Sequence, residues 1–131
     1  MDAFMKTQSL KNACIKSVSK SELYDQKEFN GVNALKSILG YSGDKEFKAY
    51  FYYGGDDKRY EVNMTWYDAR LSHDTRSEFR LYYESNDVMS SAQPGDNIVV
   101  GFDKNNNFTC ILYKTNHEDY QGPVEEWMTI K

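Results

Sequence analysis

Arg76, Glu78 and Arg80 alternate along the stretch Thr75-Arg-Ser-Glu-Phe-Arg80. In an extended chain, successive side chains point to opposite faces. With Phe79 and Leu81 turned toward a core, the three charged residues project together from the other face, as a comb with teeth roughly 6.5–7 Å apart. Those residue types suit readout of base edges in a DNA major groove. Arginine donates two hydrogen bonds to O6 and N7 of guanine, and a carboxylate accepts one from the amino group of cytosine. Each good bidentate contact contributes about 1–3 kcal/mol of discrimination. Ser72, His73, Thr75 and Ser77 flank the comb as short donors suited to phosphate, which position a protein without specifying sequence. Three of the four arginines, Arg70, Arg76 and Arg80, fall within eleven residues. The plain alternative is a solvated strand face laced by ion pairs worth little each.

The comb needs a sheet to hold it. Residues 77–84 read as a strand with Phe79, Leu81 and Tyr83 inward. Residues 60–67 alternate cleanly, with Val62, Met64 and Trp66 on one face and Glu61, Asn63 and Thr65 on the other. Residues 46–53 place Phe47, Ala49, Phe51 and Tyr53 together, and Gly54-Gly55-Asp56-Asp57 closes the two runs into a hairpin. Residues 12–18, 98–102 and 108–113 are further strands, with a turn at 104–107. Residues 21–30 and 70–75 read as polar loops. Residues 33–40 form a short helix, with Leu35, Ile38 and Leu39 at helical spacing and Gly40 at its end. A helical turn fits within 85–93, ended by Pro94-Gly95-Asp96, and residues 124–130 add an edge strand or helix. At least six or seven short strands with two short helices predict a mainly-β barrel or sandwich whose ends are plugged by helices.

A chain of 131 residues accommodates one domain spanning 1–131 with one core. Its hydrophobic content of 40% is too high for disorder, and its aromatic content of 15%, including 11 Tyr and 7 Phe, favours sheet faces. No apolar run approaches the ~20 residues that span a bilayer, and residues 1–11 lack the apolar stretch of a signal peptide. The net charge of −4 is unevenly spread. Residues 1–80 carry 13 basic and 12 acidic side chains, or +1, and residues 81–131 carry 3 and 8, or −5. Acidity is therefore a property of the C-terminal part and counts only weakly against nucleic acid. Cys14 and Cys110 sit in strand-like contexts outside any metal-binding spacing, and read as buried free thiols in a reducing cytosol, with a structural disulfide as the lesser alternative.

The segment Trp66-Tyr-Asp-Ala-Arg70, then Thr75-Arg-Ser-Glu-Phe-Arg80, then Pro94-Gly95-Asp96 before a strand, resembles the N-terminal effector domain of EcoRII-type restriction endonucleases. The resemblance is clear over residues 60–113 and faint over 12–40. It implies a seven- to eight-stranded DNA-binding pseudobarrel with two arms that grip the major groove. It also implies a G·C-flanked target such as CC(A/T)GG, and a regulatory role in which a second target copy activates a covalently linked nuclease domain. Arg70, Arg76, Glu78 and Arg80 match the C-terminal recognition arm, in which Arg76, Glu78 and Arg80 would read base edges and Arg70, His73 and Thr75 would position the arm. Lys27, Glu28 and Asn30 fall where the N-terminal arm lies. In the family, a His-Gln pair precedes a Gly where this chain has Glu28-Phe-Asn-Gly31, and a Lys stands where this chain has Asp74. The implied setting is the bacterial cytoplasm with double-stranded DNA as partner. No cofactor is expected for this domain, and Mg²⁺ belongs to a parent nuclease domain.

Two other classes compete. A Mg²⁺-dependent nuclease needs an Asp and a Glu-x-Lys, which Glu46-Phe-Lys48 with Asp25 or Asp57 would supply. A protein-binding barrel would use Tyr52, Tyr53, Tyr60, Tyr67, Tyr82 and Tyr83 as an aromatic platform. No motif places a catalytic nucleophile beside His73 or His117, so no catalytic site is expected in this chain.

Overall fold

The computed structural model describes residues 6–29, 32–40, 45–68 and 79–130. Among them are eight strands: β1 (Lys11–Ser17), β2 (Glu28–Phe29), β3 (Lys45–Tyr53), β4 (Tyr60–Asp68), β5 (Phe79–Tyr83), β6 (Asn97–Phe102), β7 (Phe108–Tyr113) and β8 (Met128–Thr129). They form one curled mixed sheet in the order β2-β5-β4-β3-β7-β6-β1-β8, a mainly-β half-barrel as the patterning predicts. Two short helices, α1 (Lys36–Leu39) and α2 (Asp87–Ser90), join it. Among the described residues no helix is long and apolar enough to cross a membrane.

Alternation dictates the hairpins. β3 and β4 pair antiparallel from Lys45↔Trp66 to Phe51↔Tyr60, which sets Ala49 and Phe51 beside Val62, Met64 and Trp66 in the main core. β6 and β7 form a second antiparallel hairpin. Its turn is held by the Asp103 carboxylate, which accepts from the backbone N–H groups of Asn105 at 2.8 Å and Asn107 at 2.9 Å. The two hairpins join through β3 and β7, the parallel pair of the sheet.

All six residues of β7 are buried, because the sheet is covered on both sides there. Phe108, Cys110 and Leu112 face the main core, whereas Ile111 and Tyr113 join a smaller one with Ala13, Ile15, Val99 and Val124. That double burial explains why these strands read as continuous apolar runs. β1 reaches its place through a bulge between Lys11 and Cys14, where Asn12 takes a left-handed φ of 56°. A side chain at the facing Gly101 would lie 2.9 Å from the Lys11 carbonyl oxygen.

Ring contact draws the two ends of the sheet together. Phe29 of β2 meets Trp127, just before β8, edge to face at 6.1 Å, and both are buried in the main core. The half-barrel is thus closed by packing rather than by a strand ladder.

The cysteines are buried and free. Cys14 pairs with Val100, which pairs with Cys110, so the thiols lie two strand spacings apart, roughly 10 Å and beyond disulfide reach. Burial pushes both thiols above the ordinary cysteine value, Cys110 far more.

One segment departs from its sequence reading. Residues 21–30 were expected as a loop, but Ser21–Gln26 is a π-helical turn and Glu28–Phe29 is a strand. The turn is organised by Glu22, which is fully buried. Its carboxylate accepts from the Ser19 backbone N–H at 2.8 Å and from Lys16 Nζ at 2.7 Å. A charge that goes inside because a lysine on the preceding strand meets it leaves no periodic signal. The loop expected at 70–75 lies outside the described residues, and the C-terminal element is an edge strand, β8, on β1.

Candidate nucleic-acid interface

β5 alternates as its sequence requires. Phe79, Leu81 and Tyr83 are buried, and Arg80 and Tyr82 lie on the outer face. Phe79 is fixed where the strand begins. It stacks on Trp66 with ring centroids 4.8 Å apart, and the indole Nε1–H of Trp66 donates to the Gly40 carbonyl at 3.2 Å. Lys36 Nζ lies 4.8 Å from the centroid of the same Phe79 ring. The root of the candidate recognition arm is therefore clamped from both β4 and α1.

The candidate N-terminal arm begins next door. β2 pairs directly with β5, Glu28 opposite Tyr82 and Phe29 opposite Leu81. Phe29 anchors β2 in the core, and the Tyr83 N–H donates to the Lys27 carbonyl at 3.1 Å. Lys27 ends the π-helical turn in the left-handed region at φ 54°. Its exposed ammonium donates to Ser85 Oγ at 2.6 Å. The Tyr83 hydroxyl donates to the Glu22 carbonyl at 3.0 Å, which ties the turn down from beneath, and burial raises this phenol well above its ordinary value.

On the outer face Tyr67 stands opposite Arg80 in the β4–β5 register, and Glu28 lies diagonally across from Arg80. Arg80 Nη1 donates to Glu28 Oε1 at 3.2 Å, and the Tyr67 hydroxyl donates to Glu28 Oε2. Each carboxylate oxygen thus has its own donor. The Glu28 side chain is 10% exposed and that of Arg80 31%, so Arg80 is the more accessible of the two. A planar guanidinium carries five N–H donors in a fixed fork, a geometry that matches paired acceptors.

Of the ten residues predicted to bind DNA, the structure brings together Lys27, Glu28 and Arg80. Asn30, Arg70, His73, Thr75, Arg76, Ser77 and Glu78 lie outside the described residues. Tyr67 is the member that sequence reasoning missed. Its signal is register: if 60–67 and 77–84 are antiparallel neighbours, some outer residue of the first must face Arg80.

Other readings find different geometry. Glu46 is exposed on β3 near the Lys45↔Trp66 end of the hairpin, and Asp57 lies beyond its Phe51↔Tyr60 end. At strand rise Glu46 and Phe51 alone are about 17 Å apart, so Glu46 and Asp57 are too far apart to share a metal ion. Lys48 instead pairs with Glu61 at 2.6 Å, which raises the lysine above its ordinary value. Among the described residues no group of three or more His, Cys, Asp or Glu side chains could hold a metal. The six tyrosines divide between faces: Tyr83 is in the core, Tyr53 and Tyr60 pack against it, Tyr52 is buried elsewhere on β3, and Tyr67 and Tyr82 lie outside.

No family model, curated protein or solved structure matches the chain.

Proposed function

We propose that this chain is a sequence-specific double-stranded DNA-binding domain, of the effector type found in EcoRII-type restriction endonucleases. The observation that carries the reading is Arg80, presented on the outer face of a strand whose inner face is locked into the core. A side chain on a rigid ribbon loses less freedom on docking than one on a loop, and a major groove about 12 Å wide admits such a ribbon. Arg80 reads a guanine, with Arg76 and Glu78 as further readers of base edges, while Arg70, His73 and Thr75 position the arm and Ser77 supplies a phosphate donor. Lys27 contacts phosphate from the neighbouring arm with Asn30. The target is a G·C-flanked site such as CC(A/T)GG. In a bacterial cytoplasm, binding of a second target copy would activate a linked Mg²⁺-dependent nuclease domain, and this domain needs no cofactor.

The test is selection from a duplex library randomised at its centre, followed by binding of the recovered duplex, its single strands and a scrambled duplex at two salt concentrations. The expected result is a G·C-containing consensus, preference for duplex, and affinity that falls steeply with salt. Recovery of no consensus, or tighter binding to single strands, overturns the proposal.

A further inference from the structure

Resting on the DNA-binding reading above, we infer that Glu28 does not touch a base but is the positioning residue of Arg80, with Tyr67 holding it in place. Glu28 belongs to β2, which is pinned by Phe29 in the core and by the Tyr83 N–H to Lys27 carbonyl bond, so its backbone has little freedom. Its carboxylate is almost wholly covered, with one oxygen taken by the Tyr67 hydroxyl and the other by Arg80 Nη1. To accept from a cytosine amino group it would have to abandon a partner and emerge from cover. The Arg80 side chain beside it is three times as exposed. A carboxylate gripping one nitrogen fixes the plane of the fork, and the fork's plane decides whether two parallel bonds to guanine O6 and N7 form.

The charges make the test sharp. Glu28 partly neutralises Arg80, so removing it leaves a freer cation. Binding to unrelated duplex should then strengthen, with a steeper salt dependence, while discrimination at the guanine read by Arg80 weakens. The two readouts move in opposite directions. One bidentate contact corresponds to about 5- to 150-fold discrimination, which bounds the expected loss.

The experiment measures binding of the full chain and its Glu28→Ala, Tyr67→Phe, Arg80→Ala and Glu28→Ala/Arg80→Ala variants. Each is tested against the duplex selected by the wild type, every single-base change in it, and a scrambled duplex, with thermal unfolding of each variant recorded. Glu28→Ala should lose preference at one base pair, the pair lost in Arg80→Ala, while its affinity for the scrambled duplex rises. The double variant should show no further loss of preference. Tyr67→Phe should show the same positional loss in smaller degree. It keeps the carboxylate, so it carries the test if Glu28→Ala fails to fold. Loss of preference at a different base pair would make Glu28 a direct reader and overturn the inference. Parallel loss of specific and non-specific binding would make its role purely structural, and tighter specific binding would make it a latch; either overturns the inference. A wild type without consensus defeats the DNA reading itself. A wild type with a consensus that Glu28→Ala and Tyr67→Phe leave unchanged defeats only this inference.

Discussion

Glu28 and Arg80 meet at 3.2 Å although 52 residues separate them in the chain. The pair spans β2 and β5, which are hydrogen-bonded neighbours at one end of the sheet. A change in the position of either strand is felt directly by the other. This edge is also where the half-barrel closes, because Phe29, the residue after Glu28, carries the contact to Trp127.

Lys27 separates electrostatics from fold. It occupies the left-handed region at φ 54°, where glycine carries no steric penalty. Lys27→Gly should therefore leave the melting temperature unchanged or raise it. DNA affinity should fall alike for all sequences, with the slope of log affinity against log salt reduced by about one. Titrations of selected and scrambled duplex at several salt concentrations check this. An effect confined to the selected sequence would instead give Lys27 a base contact.

Trp127 tests the closure. Trp127→Ala removes a buried ring from the contact that joins the sheet's two ends, and should cost about 3–5 kcal/mol in denaturant unfolding. Amide exchange should quicken at Phe29 as well as near β8, because the lost contact supports both. Exchange unchanged in β2 would show that the two ends are held independently.

The buried Lys16–Glu22 pair should be far costlier to break than to replace. Glu22→Ala leaves an ammonium inside without its 2.7 Å partner, and should cost about 3–5 kcal/mol. The double change Lys16→Met/Glu22→Leu removes both charges and should cost clearly less than Glu22→Ala. Urea unfolding of the three proteins decides the point.

Tyr83 sets an alkaline limit. Burial raises its phenol in the folded state above the ordinary value of about 10. Above that pH the unfolded chain releases the proton while the folded one keeps it, so stability present below about pH 10 is lost progressively as pH rises. Tyr83→Phe removes this titration and also the donor to the Glu22 carbonyl, costing about 1–3 kcal/mol near neutrality. The wild type's advantage over Tyr83→Phe should shrink between about pH 8 and about pH 11 when the unfolding free energies are compared.

Alternation alone placed the inner faces. Val62, Met64 and Trp66 of β4, and Phe79, Leu81 and Tyr83 of β5, are buried as their period of two requires, and Arg80 is outside for the same reason. Turn chemistry likewise marked Gly54-Gly55 and Pro94-Gly95, because positive φ and a fixed ring angle are local properties. Three features were not legible in this way. The parallel pairing of β3 with β7 depends on two hairpins meeting edge to edge. The π-helical turn depends on Glu22 finding Lys16. At the candidate site, Glu28 reads as an ordinary surface charge, and only the folded sheet brings Tyr67 and Arg80 to its two oxygens. Periodicity is written in neighbours along the chain. Which remote side chain stands across an edge is decided by strand order and register, which form only when the whole sheet closes.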